Sequence, residues 1–131
     1  ATFIGSPSMN LISGVFRRIA DESAVIAQDG TRFPVGPGHA VADGTPVIYG
    51  VRPEHLFLGR EGGDIPSRIV VVEPTGSETH VLLDMAGVQV NGVFRERIAN
   101  NPGGTLHVRP DTTKVSLFDA RTGQRIPSAP A

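Results

Sequence analysis

The chain of 131 residues contains no cysteine, and its one lysine is Lys114. The first absence removes disulfides, thiol nucleophiles and thiolate zinc sites together, and it fits a reducing compartment. The second removes the glycine-rich phosphate loop, which must end in Gly-Lys-Ser/Thr, because Lys114 follows a threonine. No apolar run approaches the roughly 18 residues of a membrane-spanning helix. No basic region followed by an apolar core opens the sequence, unlike a secretory leader. A net charge of -1 provides no field to hold nucleic acid or an anionic membrane. The six Phe and one Tyr are scattered, without the stacking pattern of an RNA-binding sheet. Gly-x-Ser-x-Gly, His-Glu-x-x-His and Gly-x-Gly-x-x-Gly are missing, and His39, His55, His80 and His107 have no ligand-like spacing. Apolar residues at 39% and charges of both signs at 19% describe a globular protein of one ordinary domain.

What is present is a repeat. Gly44-Thr45 leads into an apolar strand that ends at Val51-Arg52-Pro53-Glu54 and is followed by Leu56-Phe57-Leu58. Gly104-Thr105 leads into a strand that ends at Val108-Arg109-Pro110-Asp111 and is followed by Val115-Ser116-Leu117-Phe118. Proline has no N–H for a sheet ladder and holds the preceding arginine in extended geometry, so each copy ends its strand. Proline also suits the first position of a helical turn, where a following acid meets the positive end. Single turns are therefore expected at 53–56 and 110–114. The plain reading of Arg52, Glu54 and Arg109 is exposed side chains at a strand stop.

Taken in order, residues 1–10 read as an ordered lead-in, and short apolar runs follow at 11–19, 23–28 and 31–35. Asp29-Gly30 between two of them predicts a hairpin with a type I′ turn. A strand at 45–52 closes the first half, 11–60, and the polar, glycine-rich 60–64 marks the seam. The second half, 65–118, repeats the scheme with runs at 69–72, 79–85 and 88–94 and a turn at Ala86-Gly87. Alternation places Val81, Leu83 and Met85 on one face and His80, Leu82 and Asp84 on the other, so one face is core. A helical turn at 95–100, a strand at 105–109, a turn at 119–123, a short strand near 124–126 and a frayed tail at 127–131 complete the reading. Many short strands and no long helical period make this an all-β barrel or sandwich of two related half-barrels.

The other dense polar segment is Glu73-Pro74-Thr75-Gly76-Ser77-Glu78-Thr79-His80. Gly76, Ser77, Glu78, Thr79 and His80 are candidate contacts for a ligand or a partner loop, through backbone N–H and hydroxyl groups. The bland alternative is a hairpin loop whose hydroxyls satisfy its own backbone.

Together, residues 3–10, the run from Gly50 to Leu56, the run from Glu73 to Thr79 and the run from Leu106 to Asp111 resemble, in order and spacing, the C-terminal domain of ABC importer ATPase subunits of the maltose and glycerol-3-phosphate type. The resemblance implies a transport-associated OB-type (TOBE) barrel in 11–126 behind a nucleotide-binding domain, with residues 1–10 at the join. The chain would then be a piece of a longer protein. It implies a regulatory role without ATPase activity in this piece, with ATP and Mg bound elsewhere in the parent and no cofactor here. The implied partners are the chain's own nucleotide-binding domain, a second copy of the subunit, membrane permease subunits and a regulatory protein, in the cytoplasm at the inner membrane. The candidate contacts are Arg52, Glu54, His55, Gly76, Ser77, Glu78, Thr79, His80 and Arg109, none of them catalytic. Related domains in molybdate systems bind oxyanions through a Ser-Ala-Arg-Asn type motif, which is absent here. A sensor for an oxyanion or sugar phosphate, held by the guanidinium fork of Arg52 or Arg109 or by the 76–80 loop, is the alternative.

Overall fold

The structure, a computed structural model, describes residues 9–99 and 101–128. The expected lead-in at 1–8 and the end of the tail at 129–131 lie outside the described residues, and Asn10 already opens the first strand.

Ten strands form two five-stranded antiparallel sheets over one shared core. Strands β1 (Asn10–Ile19), β2 (Glu22–Ala27), β3 (Arg32–Val35) and β4 (Pro46–Val51) come from the first half. Strand β5 (Leu56–Leu58) follows the first Arg-Pro corner. Strands β6 (Ile65–Pro74), β7 (Thr79–Met85), β8 (Val88–Phe94) and β9 (Thr105–Pro110) come from the second half, and β10 (Ser116–Asp119) follows the second corner. The sheet orders are β10-β4-β1-β2-β3 and β5-β9-β6-β7-β8. These are one pattern offset by five strands, so the halves noted in the sequence exchange their last strands. At each Arg-Pro corner the chain leaves its own sheet and completes the other.

The first corner is a single 3-10 turn, η1 (Pro53–His55), with Pro53 at its start and Glu54 in its first turn, as expected. The second differs. Pro110 remains the last residue of β9, and the turn is η2 (Thr112–Lys114), capped by Asp111. The Asp111 carboxylate accepts from Thr113 N–H at 3.1 Å and Thr113 Oγ1–H at 2.7 Å. An aspartate is a strong N-cap, and that local bond displaces the proline-first geometry.

The hairpin at Asp29-Gly30 forms, but not with a type I′ turn. Only Gly30 has positive φ, at 91°. Its N–H donates to Ala27 C=O, and Ala27 N–H donates to Thr31 C=O, which makes a three-residue loop. Asp29 stays out of the left-handed region because its side chain accepts from Thr31 N–H at 2.9 Å. Two positive φ angles occur instead at Ala86 (55°) and Gly87 (77°), the tight connection from β7 to β8.

In β7, Val81, Leu83 and Met85 are buried and His80 is exposed, so the alternation places the core face as expected. Of the expected helical turn at 95–100, residues 95 and 96 form bends and 97–99 are irregular rather than helical, while residue 100 lies outside the described residues. The short strand near 124–126 is reduced to one bridge, Phe118 with Arg125. Tail residues Pro127 and Ser128 are docked rather than frayed: Ala40 N–H donates to Pro127 C=O at 3.0 Å, and His39 bridges Ser128.

The outer edge of β3 is blunted in two ways. Pro34 lies in the strand, and its carbonyl accepts from the buried Tyr49 hydroxyl at 2.7 Å.

Candidate functional site

The two corners meet. Asp111 N–H donates to His55 C=O at 2.9 Å, which ties the second Arg-Pro-acid copy to the first. The His55 ring Nδ1 is buried without a hydrogen-bond partner. The Thr113 hydroxyl, with further help from Thr113 N–H, the His55 imidazole and Lys114, holds the Asp111 carboxyl below its usual range. Arg52 caps η1 in extended geometry (φ -78°, ψ 150°) and is half-buried, while Glu54 is exposed.

The segment at 75–80 closes on itself. Thr75 N–H and Oγ1–H both donate to Glu78 C=O, at 2.7 and 3.0 Å, and Glu78 N–H donates back to Thr75 Oγ1 at 3.2 Å. Gly76 and Ser77 are exposed at its tip. Thr79 is buried at the start of β7, and His80 Nε2 stands 3.4 Å from the Glu78 carboxylate. Its hydroxyl geometry is thus that of a loop satisfying its own backbone.

The structure brings together two of the candidates. Glu54 and Glu78 line a groove of about 450 Å³ with Phe57, Val93, Arg95 and Glu96. Arg109 stands apart, in a separate groove of about 480 Å³ that it shares with Arg32, Glu22 and Asp64. Arg95, Glu96 and Phe57 were not singled out from sequence. Their signal was weak: an exposed Phe in a three-residue strand and charges beyond a strand end. Among the described residues no three His, Asp or Glu side chains gather as a metal set would require.

Two curled sheets with exchanged strands, joined through Arg-Pro corners, define an OB-type transport-associated barrel. The family model described as the TOBE domain matches residues 49–118, and the one described as the MalK OB fold domain matches residues 5–56. The chain belongs to the TOBE-domain family of ABC-transporter ATP-binding proteins. It is 40% identical over 126 residues to an uncharacterized ABC transporter ATP-binding protein of Sinorhizobium fredii, covering 96% of this chain and 33% of that protein. It is 32% identical over 127 residues to the sn-glycerol-3-phosphate import ATP-binding protein UgpC 2 of Agrobacterium fabrum, covering 96% of this chain and 33% of that one. The chain thus spans about a third of the length of these curated relatives. Among solved structures, the cytoplasmic molybdate-binding protein ModG with molybdate bound superposes with a TM-score of 0.65 at 14% identity, covering 82% of this chain and 94% of that one. At that identity the likeness shows the fold alone.

Proposed function

We propose that this chain is the regulatory and subunit-pairing module of the ATP-binding protein of an importer for a sugar or sugar phosphate. One observation carries the reading. The two family matches follow one another along residues 5–118, and the named relatives that share nearly the whole chain are ATP-binding proteins about three times as long. ATP and Mg would be held by another part of such a subunit, and no residue of this chain is assigned to them. The partners of this reading are the nucleotide-binding domain, a second copy of the subunit, the permease subunits at the cytoplasmic side of the membrane, and a regulatory protein. Within it, Arg52 and Glu54 act at a domain or subunit contact, since the first corner presents both at the surface beside the strand exchange.

The test is Arg52→Ala with Glu54→Ala in the full ATP-binding subunit assembled with its permease. Hydrolysis by the subunit alone is expected to stay within about twofold, while its stimulation by transported substrate falls at least tenfold, the size of an ordinary coupling free energy. Unchanged stimulation would remove these two residues from the contact, and loss of hydrolysis itself would contradict a purely regulatory role.

A further inference from the structure

The outward side of a barrel sheet meets water, and alternation should make it polar. The first sheet departs from this. Along β4 the buried Val47, Tyr49 and Val51 face the core, so Ile48 and Gly50 face outward. The same alternation turns out Leu11 and Val15 on β1, Ile26 on β2 and Phe118 on β10. Register joins them: Phe118 lies against Ile48, Leu11 against Gly50, and Val15 against Ile26. Gly50 is buried although it faces outward, because a Cβ there would stand 2.9 Å from Met9 Sδ, 3.0 Å from Phe118 Cε1 and 3.5 Å from Leu11 Cδ2. Those three side chains close over the strand on the outside of the barrel. Leu11 is still 55% exposed.

The equivalent strand of the second sheet is polar outside. The Val-Arg-Pro repeat sets β9 against β4, and Thr105 and His107 stand where β4 has Ile48 and Gly50. An ion pair of Arg68 with Asp84, at 3.1 Å, crosses the outward side of the same sheet. Two halves of one fold thus keep one apolar outer face, and contiguous apolar surface of this kind marks an interaction site. A groove of about 410 Å³ runs along Val15 and Ile26 on that face, with Arg17 on its rim. Arg32 lies across from Ile26 and has no ion pair among the described residues, while Arg17 stands 3.7 Å from the exposed Asp43. Among the outward strand positions of this sheet only Glu22, at the hairpin end, is a carboxylate. The face is apolar, with two cations beside its groove.

We propose that the outer face of the first sheet docks a partner protein that presents an apolar side chain flanked by carboxylates. The apolar group fills the groove at Val15 and Ile26 and extends over Leu11, and the carboxylates meet Arg17 and Arg32. A second copy docked through the same face would set these cations against one another. Capture of a lipid surface takes a cluster of about four or more cations, and this face has two. The inference rests on the regulatory reading, since it gives the regulatory protein its surface, and pairing is read out separately.

The probe is p-benzoylphenylalanine in place of Leu11, or of Ile26, in the full ATP-binding subunit, irradiated in the cells that make the transporter, with the cross-linked segment identified by mass spectrometry. The expected product joins these positions to an acidic-apolar segment of a protein outside the transporter. Its yield should fall at least about tenfold when Arg17→Glu and Arg32→Glu are combined, as like charges set opposite one another require. Exchange of that segment's carboxylates for lysine should restore it. Arg109→Glu, on the polar outer face, should leave it unchanged. Products confined to a second copy, to the nucleotide-binding domain, to the permease or to lipid, no product from either position, or a product indifferent to charge reversal at 17 and 32 would each overturn the proposal. Weaker self-association of the charge-reversed subunit in light scattering would overturn it as well, since the face would then belong to pairing.

Discussion

The carboxamide of Asn10 does the work of a strand for Asn91. Asn10 Oδ1 accepts from Asn91 N–H and Asn10 Nδ2 donates to Asn91 C=O, both at 2.9 Å, between residues 81 positions apart. The bond pair closes the outer edge of β8 at its middle and fastens β1 of one sheet to β8 of the other.

Asn10→Ala therefore removes two hydrogen bonds from a residue that is 6% exposed. It is expected to lower unfolding free energy by about 1–3 kcal/mol, the range for leaving partners unsatisfied. Asn10→Asp, which keeps the acceptor and loses the donor, should differ from Ala. Urea midpoints at constant slope measure both.

Ala86 and Gly87 form the tight turn between β7 and β8 with φ of 55° and 77°. A Cβ resists that region, and Ala86→Gly is expected to stabilise the chain, by up to about 1 kcal/mol of relieved strain. Gly87→Ala should do the reverse although the Cβ would meet nothing within 4 Å. The thermal midpoints of the two variants should move in opposite directions.

Tyr49 is fully buried, and its hydroxyl has Pro34 C=O as partner at 2.7 Å, while burial pushes the phenol well above its ordinary range. Tyr49→Phe keeps the ring contact with Phe33 at 5.2 Å but strands the carbonyl. The expected loss is about 1 kcal/mol, with faster amide exchange along β3.

His39 holds the docked tail, and partial burial, then the charge of Arg125, lowers its pKa below the ordinary imidazole value of 6.5. The unfolded chain binds the proton more readily than the folded one. Stability from this group is therefore complete above about pH 6.5 and is lost as pH falls from there through the folded value. His39→Gln should flatten the dependence of the unfolding midpoint between pH 7 and 5, a window set by the ordinary imidazole value.

The strands were legible because their residues alternate over short runs: β7 and β8 fall on the boundaries that alternation and the Ala86-Gly87 turn set. The corners were legible as strand stops, since proline acts on its own residue and the one before. Their consequence was not. That β5 and β10 cross into the opposite sheets depends on pairing across half the chain, and no local pattern encodes it. The same holds for Asn10 with Asn91, and for the groove that joins Glu54 to Glu78. The type I′ turn was misplaced because the Asp29 side chain satisfies Thr31 N–H, a bond that dipeptide preference does not include.

The proposed role of this barrel is to pair and regulate ATP-binding subunits. The direct measurement is light scattering of the full subunit with and without residues 10–128, alongside its hydrolysis rate per nucleotide-binding domain. Removal is expected to weaken self-association at least tenfold while the excised barrel remains folded, and hydrolysis should cease to respond to transported substrate. Undiminished pairing together with an unchanged response to substrate would contradict it.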